Sequence, residues 1–361
     1  MTRYFSSTLA VGTLLVVFFV QPFAEVGAKT PFFSHFATNL VQRDDSNASN
    51  GRGVATDSAI DANSANRSDS NDSNARANSA DETNSNADGA LWLKLERNER
   101  GVPLRLETSI IRFEGEFRAD DGETRTVSVD LIGAIHLGER AYYERLNAEF
   151  KEYETVVFEL VADDGFDVKD LAAAKGAKKE APSSPLDAIP FFQQSMADAL
   201  GFVNQMDGID YAAPNFKRGD ANADDFIVRL TTGGDIPNFF AGSAFDSLFA
   251  SDSGRVEGWI LACLLAKDKR LALRRCVADE LARTELAAKP GAQETALIHY
   301  RDEIAIGVAK KELEAGKTKI AVFYGAAHLD DLARRVEKTL KNPRRSEPRW
   351  FVAWSMESAQ K

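Results

Sequence analysis

Apolar and polar positions alternate over Leu104 to Phe113 and again over Thr124 to Ile132, and both stretches are rich in β-branched residues. A two-residue period predicts half-buried strands, and Ala119 to Glu123 between them supplies the turn of a hairpin. The second arm runs into VDLIGAIH, an apolar run suited to a strand buried on both faces. From Gly138 to Tyr153 the period becomes helical, with Tyr142, Leu146, Phe150 and Tyr153 on one stripe. Thr155 to Val161 (TVVFELV) predicts a second buried strand. Strand, helix, strand in that order implies a right-handed parallel crossover.

Further along, Lys169 to Ser184 is Ala/Lys-rich with prolines near its end, predicting a surface loop or short helix. Pro185 to Gly201 predicts a helix with an apolar face, and the chain to about Ala288 stays mostly helical, broken at Ala213-Pro214 and Gly233-Gly234. Glu294 to Leu313 predicts a long helix, Lys319 to Tyr324 a strand, Leu329 to Leu340 a helix and Arg349 to Trp354 a final strand at a sheet edge. Strand-rich, helical and strand-rich regions follow in turn. The expected fold is α/β: a central mixed sheet built from two related halves, with flanking helices and a helical cap insert.

Composition divides the chain before any motif does. Arg3, the apolar stretch Leu9 to Val20 and the small residues Val26-Gly27-Ala28 read as a signal peptide over residues 1–28. The stretch is too short to span a bilayer comfortably, so a membrane contact is expected only if the segment stays uncleaved. Asp44 to Ala90 is dominated by Asn, Ser, Asp and Ala and contains no aromatic residue. Such a tract cannot bury enough apolar surface to offset its ordering entropy, and residues 29–90 are read as a disordered linker. Asp44 to Ala90 carries nine acids and three arginines, −6 of the chain's net −11, which leaves only −5 elsewhere. No basic face is evident, which argues against nucleic acid as a partner. Residues 91–361 remain as the folded domain of an exported, periplasmic or extracellular protein. Both cysteines, Cys263 and Cys276, lie in one helical pattern thirteen residues apart. On one straight helix that is roughly 20 Å, beyond disulfide reach. A bridge requires the chain to turn back between them, and two buried thiols is the simpler expectation.

Two phrases share one layout: Gly133-Ala134-Ile135-His136 and Gly325-Ala326-Ala327-His328, each after a buried strand and before a helix. The chain has four histidines, and two of them stand at the carboxyl ends of matching strands. In open α/β sheets ligands gather at that edge. Gly133 and Gly325 let each strand end tightly and admit another backbone or a ligand. Glu159 sits within the next apolar strand, where a carboxylate is costly unless paired, metal-bound or at the strand's end. Two histidines and a carboxylate suit an open metal site with positions for water and substrate. Each histidine alone reads equally as a satisfied polar residue at a strand end. Arg301 and Asp302 interrupt a buried helical pattern in LIHYRDEIAIGV. Arg301 suits a fork onto a substrate carboxylate or carbonyl, or onto Glu159, with a structural ion pair as the alternative. Gln205 and Tyr211 stand at a helix-to-loop junction that can be turned into a cleft, although ordinary capping by Asp207 or Asp210 explains the stretch as well.

These motifs together resemble the TraB/GumN family, which includes the TIKI proteins. VDLIGAIHLGERAYYERLNAEFKEYETVVFELV resembles its opening block, HYRDEIAIGVAK its Arg-Asp helix and KTKIAVFYGAAHLDDLARRVEKTL its closing block. The resemblance covers most of Val129 to Leu340 and implies a fold similar to erythromycin esterase and the haem-uptake ChaN proteins. It also implies a metal-dependent hydrolase acting on a peptide or small-molecule substrate, with manganese, cobalt or zinc held by His136, Glu159 and His328. Arg301 joins them as a catalytic residue, and Gln205 and Tyr211 face the substrate. Two positions depart from the pattern: Ile135 replaces a small polar residue, and Asp330-Asp331 replace Pro-Gly. The same residues also allow a metal-independent esterase with a histidine base, or a non-catalytic binder of a peptide, metal or haem.

Overall fold

The computed structural model describes residues 91–166, 188–232, 261–287 and 296–357, all within one compact unit. The expected signal peptide, linker and Lys169 to Ser184 segment, and the break at Gly233-Gly234, lie outside the described residues.

In chain order the elements are β1 (Leu93–Arg97), β2 (Pro103–Arg118), β3 (Thr124–Ala134), β4 (Leu137–Gly138), α1 (Arg140–Phe150), β5 (Thr155–Phe158), α2 (Ala188–Leu200), β6 (Val203–Asn204), α3 (Gln205–Gly208), β7 (Phe216–Arg218), α4 (Ala223–Thr232), α5 (Lys269–Ala287), α6 (Ala296–Glu314), β8 (Lys319–Gly325), α7 (Leu329–Thr339), β9 (Lys341–Arg345) and β10 (Arg349–Ser355). The fold is α/β with a mixed sheet, eight-stranded among the described residues, in the order β1-β2-β3-β8-β5-β7. β2 is the hinge of its antiparallel part. Its first half pairs with β1 and β10 and its second half with β3 and β9. From β3 onward the sheet is parallel through β8, β5 and β7. The crossover from β3 to β5 through α1 leaves a gap that β8 fills, so the two strands of the predicted unit are parallel but not neighbours.

Period-two alternation explains how the sheet is covered. Ile132 and Ala134 of β3, Val156 and Phe158 of β5, and Ala321 and Phe323 of β8 join one core with residues of α1, α2, α5 and β10. Val129 and Leu131, Val157, and Ile320, Val322 and Tyr324 turn to the opposite core, which α6 and α7 close. Both faces of the parallel strands are therefore buried, which is why those strands read as unbroken apolar runs. β7 and β9 escape the pattern because β7 spans three residues, two of them Lys217 and Arg218, and β9 is exposed throughout.

Side chains pin the sheet's upper edge. The Tyr142 hydroxyl donates to the Gly133 carbonyl at 3.1 Å and the Tyr143 hydroxyl to that of Ile135 at 2.8 Å, so α1 holds the end of β3. The Trp354 indole donates to Leu137 at 2.6 Å. Among the described residues no helix is long and apolar enough to cross a membrane.

Candidate functional site

The parallel strands β3, β8, β5 and β7 point the same way, and each delivers a polar residue just past its end: His136, His328, Glu159 and Asp220. All four are buried. In register, Gly133 lies opposite Tyr324 and Ala134 opposite Gly325, so the two Gly-x-x-His motifs run side by side with a one-residue offset. The fifth participant, Arg301, comes from α6. Arg301, Asp302, Ala305, Ile306, Ala309 and Leu313 form the buried stripe of that helix, which fixes the guanidinium under the sheet edge.

Arg301 forks onto Asp220, with Nε to Oδ1 at 2.9 Å and Nη2 to Oδ2 at 2.7 Å, and also donates from Nη2 to Glu159 Oε1 at 2.8 Å. Of the roles open to Arg301 from sequence, the geometry therefore realises the clamp on Glu159. The other Glu159 oxygen accepts the Gly325 amide at 2.6 Å. Burial alone raises a carboxyl, but the His328 and Arg301 charges outweigh it and hold Glu159 well below the ordinary range.

The two histidines meet opposite surroundings. His136 Nδ1 stands 3.1 Å from the Gln205 side-chain oxygen, and the Gln205 amide nitrogen donates to the Tyr211 hydroxyl at 2.8 Å. A backbone bond repeats the link, from Gln205 N to the His136 carbonyl at 2.7 Å. An acceptor facing Nδ1 puts the proton there and leaves Nε2 as the basic nitrogen. Burial, helped by the nearby Arg301 and His328, lowers the His136 pKa and keeps the ring neutral. His328 instead lies between carboxylates: Nδ1 is 2.5 Å from Asp302 Oδ1 and Nε2 is 3.2 Å from Glu159 Oε1. Burial opposes its charge, but Asp302 and Glu159 prevail and raise it to about 10. It is an imidazolium at neutral pH.

Behind His328 stands a second carboxyl pair. Asp302 Oδ2 is buried without a hydrogen-bond donor, and burial together with the adjoining Asp331 raises Asp302 to about 6 despite His328. Asp331 binds Arg335 Nε at 2.5 Å and lies 3.2 Å from His299 Nδ1. Those contacts overcome burial and hold it at about 2. The neighbouring Asp330 accepts the Trp92 indole N–H at 2.6 Å. Both acids at the start of α7 are thus tied into the fold.

A cavity of about 40 Å³ is lined by His136, Glu159 and His328 on its polar side and by Leu93, Ile135, Leu281 and Ala326 among its apolar walls. That volume admits a few waters or the reacting end of a substrate. Gln205 and Tyr211, expected at the substrate, do not line it; they stand behind His136 and orient it. Asp220 was missed in the sequence because KRGDANADD reads as a solvated turn with no apolar period around it.

The divalent metal implied by the resemblance meets a donor set already engaged. Glu159 spends both oxygens on Arg301, His328 and Gly325, and both His328 nitrogens face carboxylates. Arg301 Nη1 also stands 3.3 Å from His328 Nε2, and a protonated imidazole has no lone pair to give a metal. Among the described residues no group of three or more His, Cys, Asp or Glu side chains is arranged to hold a metal ion. As arranged, His136, Glu159 and His328 do not fit one. No family model, curated protein or solved structure matches the chain.

Proposed function

We propose that the protein is an exported hydrolase of the TraB/GumN type that cleaves an ester or amide bond with His136 as general base and His328 as general acid. In this reading the sheet is two related halves, each ending a strand in Gly-x-x-His, and helices α4 and α5 belong to a cap over the cleft. The observation that carries the proposal is two histidines on one cavity in unlike settings, His136 backed by the Gln205 amide and His328 held between two carboxylates. Paired titratable groups driven apart by their surroundings are the usual signature of an acid and a base. Neutral His136 takes a proton from water through Nε2 as the water oxygen attacks the substrate carbonyl. The positive His328 ring first balances the developing negative charge on oxygen, then passes its Nε2 proton, held in the resting site 3.2 Å from Glu159, to the leaving oxygen or nitrogen as the bond to carbon breaks. Glu159 and Arg301 hold His328 and touch no substrate in this scheme.

Activated aryl esters such as 4-nitrophenyl acetate serve as probes. Turnover is expected to survive chelation by EDTA. Its rate is expected to plateau from the acid side, where His136 becomes neutral below the ordinary 6.5, up to about 10, where His328 loses its proton. Chelator-sensitive turnover restored by manganese, cobalt or zinc would replace this reading with the metal-dependent one. Saturable binding of the ester without cleavage would favour a non-catalytic binder.

Gln205 provides an internal check. Gln205→Glu sets a carboxylate against His136 Nδ1, which favours the imidazolium. The acid limb of the pH–rate profile is expected to move up by about 1–2 units, with the plateau rate changed little. An unmoved limb would show that His136 is not the group titrating there.

A further inference from the structure

The chain between Cys263 and Cys276 does not form the one straight helix that their spacing suggests. It is helical over residues 261–265, breaks over residues 266–268 and restarts as α5, with Asp268 Oδ1 accepting the Leu271 amide at 2.9 Å at the new start. The break lets the chain turn back, and it brings the Cys276 thiol within hydrogen-bond reach of Cys263. Neither is the deeply buried thiol expected from the sequence; both are partly exposed. Of residues 261–265, only Cys263 is turned inward. Leu261, Leu264 and Leu265 are 56%, 64% and 76% exposed, so packing gives this turn of helix little hold on α5.

We infer that Cys263 and Cys276 are a disulfide site, closing a fourteen-residue hairpin that staples residues 261–265 to α5. The staple bears on the cleft, because α5 also carries Leu281 in the cavity wall. The oxidant is a low-molecular-weight disulfide of the kind an oxidising compartment supplies. A thiolate of one cysteine attacks a sulfur of that disulfide and releases one thiol, leaving a mixed disulfide. The second cysteine then displaces the remaining thiol. Two protons and two electrons leave the protein, and the small disulfide is reduced to two thiols. Burial and the neighbouring Cys263 push the Cys276 thiol up to about 12, so Cys276 is the poor first attacker and suits the resolving step.

The test uses the full chain, incubated natively with oxidised glutathione, alkylated with iodoacetamide and mapped by mass spectrometry without reduction. The expected result is one intramolecular Cys263–Cys276 peptide pair, no alkylation at either position until reductant is added, and a Tm about 5 °C higher than that of the reduced protein. Cys263→Ser is expected to abolish both the pair and the redox dependence of Tm. Native alkylation of both cysteines after the incubation, retained glutathione on either one, or links only between chains would overturn the site. A Tm that ignores reduction of the bond would overturn the staple.

Discussion

Arg301→Ala is expected to cost about 3–5 kcal/mol of stability, the usual price of removing one partner from a buried ion pair. The argument is electrostatic. Arg301 holds two carboxylates, Asp220 and Glu159, and all three groups are buried. Without the guanidinium both acids stay desolvated with their hydrogen bonds unmade, and Glu159 keeps only His328 as a cationic partner. Arg301→Lys is expected to recover less than half of the loss, because one ammonium cannot fork onto Asp220 while reaching Glu159. Urea unfolding at neutral pH followed by circular dichroism measures both. A loss of under about 1 kcal/mol for Arg301→Ala would show that the three charges do not form the buried cluster described.

His136→Ala is expected to behave in the opposite way, with a large loss of turnover and a small loss of stability. General-base catalysis is worth about 10²- to 10⁴-fold, and the fall in kcat on an activated ester is expected in that range. The structural cost is one hydrogen bond to the Gln205 side-chain oxygen and a small void, about 1–2 kcal/mol. His328→Ala loses turnover too, but it also strips Asp302 and Glu159 of their shared cation, so its fold suffers more. The contrast between the variants is the informative part. Equal destabilisation with unchanged kcat for His136→Ala would make both histidines structural. Linkage adds a sign to the same picture. His328 binds its proton more tightly folded than unfolded, so its contribution to stability is fully present below 6.5 and is lost as pH rises to about 10.

Much of the architecture was legible because the parallel strands are buried on both faces and the helices on one. VDLIGA, TVVF and KIAVFYG read as strands, and α1, α6 and α7 as helices, from apolar period alone. The matched His136 and His328 announced the sheet edge for the same reason: each ends an apolar run. Other parts lacked any such signal. β7 is short and charged, so nothing in the sequence pointed to Asp220 beyond it. Asp331 resembled an ordinary acid in the first turn of a helix, although it faces Asp302. Arg301 was visible as an interruption of an apolar stripe and Glu159 as one candidate partner, but Asp220 was not, because that fork joins residues 81 positions apart. Gln205 and Tyr211 were found as a polar cluster, but their place behind His136 was not, since a four-residue helix carries no period that says which side meets the cavity.

The account rests on two imidazoles of unlike charge in one cavity, and nuclear magnetic resonance reads that state without any substrate. The chain has four histidines, so ring signals are assignable with single substitutions. Titration of ¹⁵N-imidazole-labelled protein is expected to show His136 neutral at pH 7 with its proton on Nδ1, and His328 doubly protonated until about pH 10. Two rings titrating together near the ordinary 6.5, or a neutral His328 at pH 7, would contradict it.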